Sequence, residues 1–344
     1  MASTRLGYKV FVLAIAAVTA NVQGSPLFES DDTLVVTIEA PMRELLRHKS
    51  RENDYDAVLS YTDAAGVTHR LDFVLTTRGR SRLEICDFPP LRLTFNRDVP
   101  KATVFEGQRR LKMVTQCKGS NSGRDWLLQE LGIYRAYNVI TDYSYRVRRL
   151  EVTYRDTEST NWQRVQPAFL IEHIREAAGR LQRKSIRPPQ INPGQFSLTE
   201  TTRNLLFQYL IANTDFSVIR GPSDEGCCHN GRVLTTPGQN DDWVVLPYDF
   251  DQAGIINTSY AEPHEKLPVS RVSIRLYRGF CWQNSELPQS IALFNEHRSE
   301  ITDALLPTGL GKNKRTRALS FIDKFFDDVN SPKNLEKKIL GKCR

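Results

Sequence analysis

Between Leu205 and Gly254 the chain runs from LLFQYLIANTDFSVIRG through CCHNGRVL to DDWVVLPYDFDQAG. An apolar run with the spacing of a buried helix leads into a polar turn carrying Asn213 and Asp215, and an apolar strand, WVVLP, then delivers Asp249 and Asp251 two residues apart. Carboxylates at the ends of apolar elements are costly to bury unless they are paired or hold a cation. Any fold for this chain must satisfy these carboxylates, and the stretch reads first as a polyanion or metal site.

The N-terminus sets the compartment. Arg5 and Lys9 precede VFVLAIAAVTA, an apolar stretch of eleven residues followed by the small residues Ala20 and Gly24. That is the outline of a secretory signal peptide, too short to span a bilayer, with cleavage expected after Ala20 or Gly24. No later run is long and apolar enough for a membrane helix, so a secreted or periplasmic protein without a stable span is expected. Export gives meaning to the six cysteines, because oxidising compartments let them pair. Cys86 with Cys117 is the expected bridge. The adjacent Cys227 and Cys228 are expected to tie the loop after Asp215 to other segments, Cys281 being one candidate, and a zinc site from Cys227, Cys228 and His229 is disfavoured because neighbouring ligands cannot all converge on one tetrahedral ion. Loss of Arg5 and Lys9 lowers the formal charge from +7 to +5. The excess is spread along the chain, which suits an anionic ligand and argues against a nucleic-acid partner.

At 344 residues, with 40% apolar and 25% charged residues, the chain has the composition of an ordinary globular protein. After the leader (1–24), a β-rich segment (25–100) contains TLVVTIEA, YDAVLSYTD, VTHRLDFVLTTRG and PPLRLTFN, all with strand alternation. Segment 101–185 passes from a loop at Gly107 into the strand RRLKMV, then a helix over roughly 125–138 capped by Asp125, then the strands SYRVRRLEVTY and QPAFLIE. Around Pro188 the proline-rich SIRPPQINPGQ marks a linker or long surface loop. From there 186–344 is mainly helical: SLTE (197–200) forms a capping box, and helical spacing recurs over about 288–305, 314–329 and 335–340. The expected class is α+β.

A sheet-rich half with one inserted helix, followed by a helical half with an acidic cleft, is the arrangement of protein-kinase-like enzymes. Lys112 lies in the strand RRLKMV, and Glu130 follows on the next helix eighteen residues later. An ion pair of strand lysine with helix glutamate is how a kinase holds ATP phosphates. Lys118 is a rival for that lysine. NTDFSV offers Asp215 to accept a proton from, or orient, an attacking hydroxyl. LPYDFD offers Asp249 and Asp251 for a divalent cation shared with phosphate. Arg271, Arg275 and Arg278 fit either an anionic partner or, better, a basic surface face.

On RRLKMV, FLIE (169–172), LIANTDF and LPYDFDQAG, over about 78–254, the chain resembles the secreted atypical kinases of the spore-coat CotH type. The resemblance implies a two-lobed, protein-kinase-like fold with an antiparallel-sheet N-terminal lobe, one key helix and a mainly helical C-terminal lobe. It implies transfer of phosphate from ATP, with Mg or Mn, to a secreted or envelope protein. It makes Lys112 the phosphate-binding lysine, Glu130 its partner, Asp215 the catalytic aspartate, and Asn230, Asp249 and Asp251 the metal site. Ile171 and Glu172 would supply backbone groups for adenine, and Gly107 would let the backbone approach phosphate. The sequence departs from that pattern in having no G-x-G-x-x-G loop and in placing Asn230 fifteen residues after Asp215, beyond RGPSDEGCCH. The alternatives are a non-catalytic binding module of the same fold and a metal-dependent or two-carboxylate hydrolase of surface polymers, with Asp215 and Asp249 or Asp251 as acid and base.

Overall fold

A computed structural model describes residues 25–95, 99, 101–222 and 226–344; the expected signal peptide lies outside the described residues. Among the described residues seven strands, β1 (Leu34–Ala40), β2 (Asp54–Thr62), β3 (Thr68–Thr77), β4 (Leu91–Phe95), β5 (Arg110–Thr115), β6 (Val147–Asp156) and β7 (Gln163–Ile171), close into a barrel in the order β1-β2-β3-β4-β5-β7-β6. Neighbours are antiparallel except for the closing pair, where β1 runs parallel to β6, Leu34 opposite Leu150 and Ala40 opposite Asp156. The expected two-lobed kinase-like fold with an antiparallel N-terminal sheet is therefore wrong: the sheet is a mixed, closed barrel without a free edge. Alternation in TLVVTIEA and SYRVRRLEVTY identifies strands, but a parallel pairing between segments more than a hundred residues apart leaves no local mark in either.

Period-two alternation then divides the side chains between two cores. Leu111 and Met113 of β5, with Leu150 and Val152 of β6 and Ala168 and Leu170 of β7, fill the barrel. Val114, Val147, Phe169 and Ile171 point outward into a second core, where α3 (Asn121–Ile140) and α5 (Leu198–Leu210) contribute the facing side chains. This explains why QPAFLI is apolar on both faces. α3 starts earlier than the expected 125, with Ser120 as its cap accepting a hydrogen bond from the Gly123 backbone N–H. Gly132 allows α3 to sit against α7 (Arg298–Leu305); a Cβ there would meet the Ala304 carbonyl oxygen at 2.5 Å. The SLTE box is not formed as expected: Ser197 stands at the N-cap of α5 without a side-chain cap bond, and Glu200 instead accepts from Thr141 and Arg203.

The remaining strands, β8 (Lys184–Ile186), β9 (Gly231–Thr235) and β10 (Val244–Pro247), form a separate antiparallel sheet in the order β10-β9-β8. β10 therefore brings Asp249 and Asp251 out just beyond its end. Helices α6 (Leu287–Glu296), α8 (Lys312–Asn330) and α9 (Pro332–Lys338) complete the C-terminal part, the expected 288–305 helix being broken at His297. Short helices α1 (Met42–His48), α2 (Ser81–Ile85) and α4 (Ile174–Arg180) decorate the barrel. No described helix is long and apolar enough to cross a membrane.

Among the described residues disulfides join Cys86 to Cys117, Cys227 to Cys228, and Cys281 to Cys343. The first is as expected. The second corrects the expectation that the adjacent pair ties separate segments, and the third gives Cys281 a partner near the C-terminus. Cys281 and Cys343 stand 62 residues apart in sequence. Loss of a bridge closing so long a loop should cost about 4 kcal/mol through the freed chain entropy of the unfolded state. Denaturant unfolding of the Cys281→Ser/Cys343→Ser protein should show a midpoint well below that of the intact chain; an unchanged midpoint would mean that the tail is not held by this bond.

Candidate functional site

A short loop after β3, RGRSR, turns at Gly79, whose φ of +100° suits glycine, and enters α2. Cys86, the residue after α2, is bonded to Cys117 just past β5, so α2 is fastened to the barrel wall at its exit. This places Arg82, whose side chain is 9% exposed, among three carboxylates. Its Nε donates to Asp251 Oδ2 at 2.8 Å, its Nη2 to Asp249 Oδ1 at 2.6 Å and to Glu130 Oε1 at 3.1 Å, and its Nη1 to Glu130 Oε2 at 3.3 Å. Burial works against the guanidinium charge, but Asp251, Glu130 and Asp249 together hold Arg82 firmly protonated. Burial pushes Glu130 and Asp251 upward, opposed by Arg82; at Asp249 burial also pushes upward but Arg82, Arg78 and Lys112 outweigh it, so Asp249 stays ionised.

α3 supplies the other support. Glu130 and Tyr134, four residues apart and hence on one face, both reach this cluster, and the Tyr134 hydroxyl accepts a hydrogen bond from the Asp249 backbone N–H at 2.9 Å. Tyr134 is wedged against Phe169 and Phe250, with ring centroids 5.7 and 4.9 Å away. Asp249 itself takes a left-handed φ of 64°. Non-glycine residues adopt that conformation when the surroundings impose it. Its side chain turns toward the cleft, 38% exposed.

Across the cleft, α5 ends at Leu210, and Asn213 forms an Asx turn in which its Oδ1 accepts from the Asp215 N–H at 3.0 Å. Both carboxylate oxygens of Asp215 are engaged: Oδ1 lies 2.8 Å from His229 Nε2, and Oδ2 accepts from the Asn230 amide at 2.9 Å. The hydrogen bond to Asp215 raises the His229 pKa, against the opposing effect of burial. His229 and Asn230 directly follow the Cys227–Cys228 bridge. Arg278 steadies the loop, its Nη1 donating to the carbonyls of Thr214 and Phe216 at 2.6 and 2.7 Å.

Between the barrel wall and this loop lies a cleft of about 430 Å³. Arg92 and Lys112 are paired across β4 and β5 and face it, as do Arg51, Arg78 and Arg232. Among the described residues none of these five forms an ion pair with a carboxylate. The Lys112 ammonium lies 4.4 Å from the centroid of the Tyr248 ring, and Arg232 lies 5.0 Å from it, both as cation–π contacts. Burial first, then Arg78 and Arg232, pushes Lys112 down to about 7. The cleft wall thus gathers five cations that repel one another.

Lys112, Asp215, Asn230, Asp249 and Asp251 all line this cleft. Glu130, expected to pair with Lys112, is 4% exposed and pairs with Arg82 instead. The rival Lys118 pairs with Asp87. Ile171 stands between Lys112 of β5 and Val147 of β6 in the barrel ladder, the Glu172 backbone N–H donates to the Arg146 carbonyl, and its carboxylate holds Arg180. Gly107, with φ +78°, turns the chain before β5 and is not among the described residues lining the cleft. The roles of Arg82, Arg78, Arg92, Arg232 and His229 escape sequence reasoning. Only the RGRSR run carries a readable signal, three arginines around a glycine between strand and helix; the others become neighbours through long-range pairing.

No set of three His, Cys, Asp or Glu side chains among the described residues is placed to hold a metal ion. Asp249 and Asp251 each accept from Arg82, and the Asn230 amide is turned to Asp215. Only one Asp249 oxygen, Oδ1, is taken by Arg82. Asp249, 38% exposed, is the carboxylate of the pair that is open to the cleft.

Removing Arg82 would leave two buried carboxylates, Glu130 and Asp251, and the half-exposed Asp249 uncompensated. Arg82→Met should therefore cost about 3–5 kcal/mol in unfolding free energy, and Arg82→Met/Glu130→Leu should recover part of that loss. Equal stability of wild type and Arg82→Met in denaturant titration would show that the cluster is not what holds this region. No protein-family model matches the chain and no curated protein does.

Proposed function

We propose that this exported protein is a phosphotransferase that moves the terminal phosphate of ATP to a hydroxyl of a secreted or envelope protein. One observation carries the reading: five cationic side chains without carboxylate partners among the described residues, Arg51, Arg78, Arg92, Lys112 and Arg232, face the same cleft as a carboxylate, Asp215, that is held at both oxygens. A triphosphate supplies the dense negative charge that such a wall requires, and phosphoryl transfer depends chiefly on positioning and charge stabilisation. The disulfides and the expected leader support export. This function does not require the two-lobed kinase fold, because the groups that act are local to the cleft.

In this scheme Arg92 and Lys112 on the barrel wall, with Arg78 from the loop and Arg232 from β9, bind the phosphate oxygens. Asp215, oriented by His229 and Asn230, takes the proton of the acceptor hydroxyl as its oxygen bonds to the terminal phosphorus and the bond to the departing diphosphate breaks. A divalent cation bound with the nucleotide, Mg or Mn, would neutralise charge on its phosphates, Asp249 being its protein carboxylate. Arg82 stays with Glu130, Asp249 and Asp251 and keeps Asp249 ionised. A metal-dependent or two-carboxylate hydrolase of surface polymers suits the cleft less well where the polymer is neutral, because such a substrate leaves the cations uncompensated.

Mature protein incubated with γ-labelled ATP and Mn²⁺ should transfer label to itself or to secreted proteins, and Asp215→Asn should lower the rate by at least about a hundredfold. ATP binding without turnover would favour a non-catalytic binding module; neither binding nor turnover would end this reading. The pH dependence follows from Lys112. Its pKa in the free protein is about 7, and phosphate beside it favours the ammonium form and raises that value. Above pH 7 the free lysine is largely neutral, so binding must take up a proton. Affinity measured by calorimetry should then fall from pH 7 to 9 by up to about tenfold per unit, and in Lys112→Met it should be weaker and nearly flat.

A further inference from the structure

Beside the C-terminal end of α5, a second cavity of about 600 Å³ opens between the segment Ile274–Tyr277 and the C-terminal helices α8 and α9. We propose that it is a second ligand site, for a small amphipathic anion: a phosphate, sulfate or carboxylate group on an apolar body. Its size falls in the range of small-molecule sites. The lining has two characters. Ile274, Leu276, Tyr277 and Tyr209 make an apolar floor, whereas Lys324, Lys337, Lys338 and Lys342, from α8, α9 and the final 3₁₀ turn, add exposed ammonium groups to the same lining. Of these four lysines only Lys338 has an ion-pair partner among the described residues, Asp328, which also accepts from the Tyr209 hydroxyl at 2.9 Å. Asp327 and Asp328 also line the cavity, so four lysines and Arg275 stand against two carboxylates, and this positive excess beside an apolar surface matches a charged head and an apolar body in one molecule.

The wall is built before any ligand arrives. Cys281–Cys343 anchors the tail that carries Lys342, and the Arg344 N–H donates to the Gly279 carbonyl while its own carbonyl accepts from the Cys281 N–H. The floor is also joined to the candidate active site. Arg275 caps the end of α5 by donating to the Tyr209 and Leu210 carbonyls, and three residues on, Arg278 holds the carbonyls on either side of Asp215. A ligand seated against 274–277 therefore bears on the same short segment that supports the Asp215 loop, although the site's existence does not depend on the phosphotransferase reading.

Calorimetric titration of the mature protein with hexyl phosphate, inorganic phosphate and hexanol tests the site. Hexyl phosphate should bind, and both fragments should bind far more weakly. Lys337→Glu/Lys342→Glu should weaken hexyl phosphate by roughly tenfold or more while leaving ATP affinity unchanged, and Ile274→Trp, which fills the floor, should block it independently of charge. Absence of binding at millimolar hexyl phosphate, indifference to both variants, or full competition by ATP would overturn the proposal, the last because it would move the ligand to the arginine-rich cleft.

Discussion

The Arg82 guanidinium is the interaction on which the site depends. It sits almost out of solvent between Glu130 of α3 and the Asp249 and Asp251 that follow β10. Three parts of the chain separated by up to 169 residues meet on one cation. Buried carboxylates repel one another and resist ionisation, so without the guanidinium this junction of barrel, α3 and the small sheet would be strongly destabilised. The Cys86–Cys117 bridge has a matching role, since it fixes the short helix from which Arg82 projects. So short a helix alone would not hold so costly a group in place.

The same arrangement divides the labour of the cleft. Arg82 absorbs the carboxylates on one side and leaves the cations of β4, β5 and β9 uncompensated on the other. Asp249, anchored through its backbone to Tyr134 and through one oxygen to Arg82, lines the cleft and is partly exposed there. Asp215 is held in a different manner, by the side chains of His229 and Asn230 and by Arg278 bonded to its loop. Hydrogen bonds thus fix both of these carboxylates of the cleft in defined positions opposite its cations.

Local order is largely legible in the sequence, and long-range pairing is not. Alternation locates the strands, and the composition of WVVLPYDFD announces that carboxylates emerge from an apolar strand. The placing of Asp215 and Asp249 at the cleft can be anticipated because each sits where an apolar element ends. The closure of β1 on β6 cannot, and with it goes the expected kinase-like sheet. Glu130 looks like a rim residue because helical spacing places it beside the Leu127–Leu131 stripe; only the arrival of Arg82 makes its burial tolerable. Lys112 is an obvious candidate for phosphate, yet the partner expected for it is held elsewhere, since the competing cation lies thirty residues earlier in a helix of barely more than one turn. Cys227 and Cys228, expected to reach outward from their loop, instead bond to each other just ahead of His229 and Asn230.

The central claim is that the cleft between the barrel wall and the Asp215 loop receives the phosphates of ATP. A crystal structure of the mature protein with a non-hydrolysable ATP analogue and Mg²⁺ tests it most directly. The account predicts phosphate oxygens within hydrogen-bonding distance of Lys112 and Arg92, Asp249 near the metal, and the Asp215 carboxylate facing the terminal phosphate. An empty cleft at saturating nucleotide, or nucleotide bound elsewhere, would contradict it.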